Sequence, residues 1–365
     1  MTCAQDATPA ICSVTSFHLH TSGVPSFVSK QQLSELAALE QIIELGGSAL
    51  EVRVLQQVQP AGSDPLPIHA ICLGNPAPEI PAIGFFGGVH GLERIGTEVV
   101  MAYLRSLVHR LHWDQPFRRQ LEMVRLVFVP IVNPGGMWQG TRANPQGVDL
   151  MRNAPVDAVD RVPFLVGGQR LSSALPWYRG KAGAPLEPES QALCDIVQAE
   201  LLSRPFSLAI DCHSGFGVRD RIWFPYARSS EPIEHLAEMH VLKDMFFQTY
   251  SQHPYVFEPQ SLQYLAHGDL WDHLYLQALQ KPGRVFLPLT LEMGSWLWIK
   301  KNPRQLFSRL GIFNPLIEHR QQRVLRRHLL LLDFLARAAA SHVMWLPAGE
   351  ARERHRARAL REWYG

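Results

Sequence analysis

Long apolar runs are missing from this chain of 365 residues, in which no stretch approaches the ~20 consecutive apolar residues that a membrane span requires. The nearest, Leu329 to Leu335, is interrupted by Asp333 and flanked by arginines, and it reads as part of an amphipathic closing helix. An excess of one charge is lacking too. Against 35 Lys and Arg stand 33 Asp and Glu, leaving a formal net charge of +2, so nothing draws the chain toward nucleic acid or a membrane surface. The stretch Glu350 to Gly365 holds five arginines among three glutamates, but no aromatic stacking set or basic stripe accompanies it, and it reads as a solvated helix. Cysteines number five, at 3, 12, 72, 194 and 212, without a C-x-x-C pair. The first twenty residues carry neither a basic start nor the continuous apolar core of a secretory signal. Both absences lead us to expect a reducing, cytoplasmic location. Two families of catalytic loop are absent as well: Ser214 is not in a G-x-S-x-G elbow, and no Walker-type glycine loop ends in Lys-Ser or Lys-Thr.

What is there is the composition of an ordinary globular protein, 46% hydrophobic and 19% charged, large enough for one extensive core or two domains. No internal repeat or low-complexity linker divides it. Residues 1–30 look loosely structured. A helix is expected over Gln31 to Leu45, then strands near Leu50 to Val58 and Pro67 to Leu73 that form an edge hairpin. Further strands near 81, 125, 207, 221 and 285 alternate with helices near 93–108, 187–203, 231–250 and 268–280, which predicts an α/β sandwich around a largely parallel or mixed sheet.

Chemistry concentrates where strands end. Pro81 to Phe86 is a short apolar run fitting a buried strand, and Gly87-Gly88-Val89-His90-Gly91-Leu92-Glu93 follows it. The glycines permit a sharp turn, and Glu93 to Val108 has helical apolar spacing through Ile95, Val99, Val100, Tyr103, Leu104 and Leu107. His90 and Glu93 can therefore point into one crevice beyond the carboxyl end of the strand, where open α/β sheets bind ligands. Taken alone, H-x-x-E is a weak signal, since chance occurrences are common and a turn histidine is usually just solvated. A second apolar strand, Arg125 to Val132, leads into Asn133-Pro134-Gly135-Gly136 and then a turn-rich loop, Gly140 to Asn153, that carries Arg142, Asn144, Asp149, Arg152 and Asn153. The strand from Ser207 to Cys212 runs into His213-Ser214-Gly215, and the apolar strand Val285 to Glu292 ends in a carboxylate before Met293-Gly294.

The order H-x-x-E, N-P-x-G, T-R-x-N-x-x-G-V-D-L-x-R-N, D-x-H-S and T-x-E-x-G resembles the zinc carboxypeptidase family, to which some zinc deacylases of N-acyl amino acids are related. Two linking stretches are similar as well: Trp177-Tyr178-Arg179-Gly180 through Ser190, and Tyr264-Leu265-Ala266-His267-Gly268, which is similar to the mobile tyrosine loop of that family. The resemblance spans about residues 80 to 295. It implies an α/β three-layer sandwich with a twisted, mixed, largely parallel sheet of about eight strands and helices on both faces. With it, residues 31–345 become the expected catalytic domain, between an extension at 1–30 and a basic helical tail at 346–365.

The resemblance also implies roles. His90, Glu93 and His213 would hold one Zn2+ per chain, a His-Glu-His set being one of the standard catalytic choices. Asp149 would take the other ring N–H of His90. Asp211 would support His213 in the same way or serve the strand alone. Glu292 would be the general base and acid, unless it is merely a surface carboxylate at a strand end; the apolar residues before it argue for an interior strand. Arg142 would stabilise the oxyanion, and Arg152 would hold a terminal carboxylate, with Asn144 or Asn153 as helpers. Tyr264 would close over substrate or be an ordinary half-buried tyrosine. Trp271 would floor the side-chain pocket or pack in its helix beside Leu270 and Leu274. One position departs from the pattern: where the family commonly reads G-V-D-L-N-R-N, this chain has Met151 before Arg152, and a thioether cannot donate a hydrogen bond.

The expected activity is therefore zinc-dependent removal of a carboxy-terminal residue from a peptide or peptide-like substrate. An amidohydrolase acting on an N-acyl amino acid would share the metal chemistry, but such relatives generally lack the tyrosine loop that Tyr264 and Gly268 suggest. A silent binding module would need the loss of a ligand or of the base, and His90, Glu93, His213 and Glu292 are all present.

Overall fold

The structure, a computed structural model, describes residues 33–365; the expected extension at 1–30 lies outside the described residues. The first helix, α1 (Ser34–Gly46), precedes β1 (Glu51–Val58) and β2 (Leu66–Gly74), which pair antiparallel as the expected hairpin. Then come β3 (Ala82–Gly87), α2 (Arg94–Arg110), α3 (Gln115–Glu122), β4 (Arg125–Val129), α4 (Pro134–Gln139), α5 (Pro188–Glu200), β5 (Phe206–Ser214) and β6 (Arg221–Phe224). The chain continues through α6 (Leu236–Thr249), β7 (Val256–Pro259), α7 (Leu270–Leu279), β8 (Val285–Met293), α8 (Trp296–Lys301), α9 (Glu318–Ala340) and α10 (Gly349–Trp363).

The eight strands form one sheet in the order β1-β2-β4-β3-β5-β8-β6-β7. Its centre, β4-β3-β5-β8, is parallel throughout. The β1-β2, β2-β4 and β6-β8 pairs are antiparallel, and β6-β7 is parallel again. Burial follows this order. Every residue of β3, β4 and β5 is buried, the continuous apolar reading of strands covered by helices on both faces. The edge strand β1 is mostly exposed or half-exposed.

The helices form because their apolar positions recur on one stripe. In α2 the predicted set Ile95, Val99, Val100, Tyr103, Leu104 and Leu107 is buried without exception, and each such side chain contributes about 1.5–3 kcal/mol on leaving water. In α9 the buried Val324, His328, Leu331, Leu332 and Leu335 repeat at three- and four-residue steps, which makes it the closing amphipathic helix. Caps mark the starts of two others: Asp114 accepts from Phe117 N before α3, and Asp269 accepts from Trp271 N and Asp272 N before α7. The tail differs from expectation. Rather than a solvated helix, α10 buries Ala359 and Trp363, and the Trp363 indole donates to Phe257 O of β7 at 3.0 Å. Among the described residues no helix is long and apolar enough to cross a membrane.

Candidate active site

The carboxyl ends of β3, β5 and β8, three consecutive strands at the middle of the sheet, carry the expected chemistry. After β3, Gly88 turns the chain at φ 64°, a conformation open mainly to glycine, and His90 and Glu93 follow within the same turn, where Glu93 N donates to His90 O. Glu93 is the N-cap residue of α2, but its side chain leaves the helix uncapped and turns toward β5. The approach depends on Gly96, where a Cβ would stand 2.0 Å from Cys212 O. Any side chain there would push α2 off β5 and Glu93 away from His213.

His90, Glu93 and His213 are buried, and their ligand atoms lie within 4.8 Å of one another. His90 Nδ1 is 2.9 Å from Glu93 Oε1 and 3.2 Å from His213 Nδ1, which in turn is 3.0 Å from Glu93 Oε2. The opposite ring nitrogens are each held by a carboxylate: His90 Nε2 donates to Asp149 Oδ1 at 3.0 Å and His213 Nε2 to Asp211 Oδ2 at 2.7 Å. Both imidazoles are thus fixed with Nδ1 inward, the arrangement that ligating histidines show. The donor set suits a zinc ion: two imidazoles and a carboxylate converge, and the cavity side is left open.

Arg142 ties the cluster together, donating from Nη1 to Glu93 at 2.6 Å and from Nε to Asp149 at 2.9 Å. Burial alone would push both carboxyls up, yet His90 and Arg142 outweigh it, and Glu93 and Asp149 are held well below the usual carboxylate range. Burial would push His213 down, but Asp211 and Glu93 prevail and carry it well above the usual histidine value. Glu292 goes the other way. Opposite His213 in the β5-β8 register, it is pushed up to about 8 by burial and by the negative charge of Glu93, although it accepts from Phe216 N at 2.9 Å. A divalent cation at the cluster would draw it back down.

A cavity of about 450 Å³ opens over these groups. Arg142, Arg152, Tyr264 and Glu292 all line it, as does Met151. Arg152 is buried and donates only to neutral acceptors: Met151 O, Val166 O and, at 3.4 Å, the Tyr264 hydroxyl. Among the described residues it forms no ion pair.

Three candidates stand elsewhere. Trp271 is not at the floor of the cavity; its indole N–H donates to Asp211 Oδ2 at 2.9 Å, behind His213. Asn144 ties its loop to the start of α5, donating to Glu187 and Glu189 and accepting from Gln146 N and Val148 N. Asn153 donates to Arg179 O and accepts from Glu187 N. Neither asparagine lines the cavity. Its walls contain instead aromatic residues that sequence reasoning passed over, Phe216, Trp223 and Trp296, together with Asp269. Asp269 carried a readable signal, a carboxylate one residue after Gly268 and just before a helix. The aromatics carried none beyond their type.

The model of a family described as zinc carboxypeptidase matches residues 64–278. Carboxypeptidase D of Anas platyrhynchos is 25% identical over 166 residues, 43% of this chain and 10% of that protein. Carboxypeptidase E of Caenorhabditis elegans is 26% identical over 156 residues, 39% of this chain and 32% of that protein. The alignments thus span from a tenth to a third of the length of these relatives. Among solved structures, thrombin activatable fibrinolysis inhibitor superposes with a TM-score of 0.64 at 18% identity, over 85% of this chain and 74% of that one. At that identity the likeness concerns the fold.

Proposed function

Since its match over residues 64–278 makes this chain a member of the zinc carboxypeptidase family, we propose that it hydrolyses the last peptide bond of a substrate presenting a free carboxyl terminus. The observation that carries this reading is Arg152, a buried cation on the cavity wall that forms no ion pair among the described residues, Asp149 and Asp269 acting on it only from beyond contact distance. An unpaired buried charge is costly, and a substrate carboxylate would neutralise it by a charge-assisted pair. Tyr264, in contact with Arg152 at the cavity edge, would close over that carboxylate.

His90, Glu93 and His213 would hold the zinc ion, with Asp149 and Asp211 fixing the two rings. Bound there, zinc would polarise the scissile carbonyl and make water a stronger nucleophile at neutral pH. Glu292, buried beside the cluster and carrying a raised proton affinity, would take a proton from the attacking water and return it to the departing amine. Arg142 has one guanidinium nitrogen, Nη2, without a hydrogen bond among the described residues, and it would donate from there to the developing oxyanion. Water is kept from the rear of the site by the buried β3, β5 and β8.

The test pairs metal analysis with an assay of blocked dipeptides, their amides and N-acyl amino acids. About one zinc per chain should be held at this cluster, and His90→Ala should lose it. Glu292→Gln should keep zinc and lose roughly 10²-fold or more in kcat. Undiminished zinc in His90→Ala, a kcat within threefold of wild type in Glu292→Gln, or hydrolysis confined to N-acyl amino acids would overturn the reading.

A further inference from the structure

A second group of ligand-type side chains lies between α6 and α10, and none of its members lines the cavity of the candidate active site. His240 and Asp244 stand four residues apart on α6 and so project from one face of it. α10 brings His355 against them. The ligand atoms of these three residues lie within 4.8 Å of one another. His240 Nδ1 is 3.0 Å from His355 Nδ1 and 3.3 Å from Asp244 Oδ2. The corresponding separations in the His90-Glu93-His213 cluster run from 2.9 to 3.2 Å. Two ligands at 2.0–2.1 Å from a tetrahedral zinc ion would be about 3.3 Å apart.

A shared proton between the two imidazoles accounts for one of these contacts. It does not account for both, because the single Nδ1 of His240 faces an imidazole nitrogen and a carboxylate oxygen at once. One N–H would have to be split between them, whereas a cation serves all three groups. The surroundings agree with the cation. His240 Nε2 is turned to Glu362 Oε2 at 3.5 Å, a looser contact than the 3.0 and 2.7 Å hydrogen bonds that hold His90 and His213 from outside. Lys243 engages Glu362 and takes the other oxygen of Asp244, Oδ1, at 3.2 Å, which leaves Oδ2 toward His240. His240 itself is buried. His355 and Asp244 are only half-buried, which keeps a fourth position open to water. Two imidazoles and one carboxylate favour zinc and its late first-row neighbours over magnesium or calcium, which take oxygen ligands.

We propose that His240, Asp244 and His355 form a second divalent-metal site of the zinc type, distinct from the catalytic one, which fastens α10 to α6. The test uses the full chain. Wild type equilibrated with micromolar zinc should hold two equivalents per chain. His355→Ala and, separately, Asp244→Asn should each hold one fewer while kcat/KM on the best peptide substrate stays within twofold. Because His355→Ala removes a helix contact as well as a ligand, Co2+ is titrated into His90→Ala, where absorption bands of a tetrahedral ion should appear, and into His90→Ala/Asp244→Asn, where they should be lost. Zinc should also raise the Tm of His90→Ala and leave that of the double variant unchanged. Equal zinc content in wild type, His355→Ala and Asp244→Asn, or the absence of cobalt bands from His90→Ala, would overturn the proposal.

Discussion

Met151 stands on the cavity wall next to Arg152, whose Nη1 donates to its carbonyl at 3.2 Å. Its thioether has no hydrogen to give, so a substrate carboxylate held by Arg152 would lack one neutral hydrogen bond, worth on the order of 1 kcal/mol. Restoring a donor with Met151→Asn should raise the ratio of kcat/KM for free-acid over amidated substrate several-fold. An unchanged ratio would mean that residue 151 does not face the terminal carboxylate. The two asparagines proposed as helpers do not line the cavity, and their amides are turned to Glu187 and to Arg179 O on a neighbouring stretch of chain. This marks the limit of what residue type and spacing disclose. The convergence of His90, Glu93 and His213 was legible because a strand end, a turn and a helix start leave little freedom in where their side chains go. Asn144, Asn153 and Trp271 were not, since an amide or an indole is satisfied equally well by substrate or by a neighbouring backbone or carboxylate, and only the folded contacts choose.

At the level of elements, α10 carries the largest difference from expectation. Three of its five arginines, Arg354, Arg358 and Arg361, are exposed, while Arg352 pairs with Glu234 and Glu238. The opposite stripe is what the charge count concealed. Trp363 packs its ring on Phe224 at 4.8 Å and on Phe257 at 6.2 Å, covering β6 and β7. Truncating such a side chain typically costs about 3–5 kcal/mol, so Trp363→Ala should lower the free energy of unfolding by about that amount in a denaturant titration. A loss below 1 kcal/mol would show the tail to be an appendage. The strand β7 was also unread, being four residues long and ending in Pro259, too short for a period to declare itself. By contrast β3, β5 and β8 were plain, since a strand covered on both faces must be apolar throughout.

For the molecule as a whole, the α/β alternation was legible, whereas the sheet order was not, because pairing between distant strands leaves no local trace in the chain. That order has a consequence for how the protein would fail under stress. β3, which leads into His90, and the strands that bear His213 and Glu292 each have a hydrogen-bonded neighbour on both sides, while Tyr264, Trp177 and Trp296 lie outside the sheet, in connections and at the start of a short helix. Amide exchange should accordingly be slowest in β3, β5 and β8 and faster by orders of magnitude around residues 260–268 and 295–302, since sub-global openings begin where few contacts must break. Native-state hydrogen exchange read by mass spectrometry would check this, and comparable protection in the two sets would refute it. On mild heating or at low denaturant, the proposed hydrolysis should then lose its discrimination between substrates while zinc bound at the proposed site would still be held. A partly opened molecule would be less choosy before it became inactive.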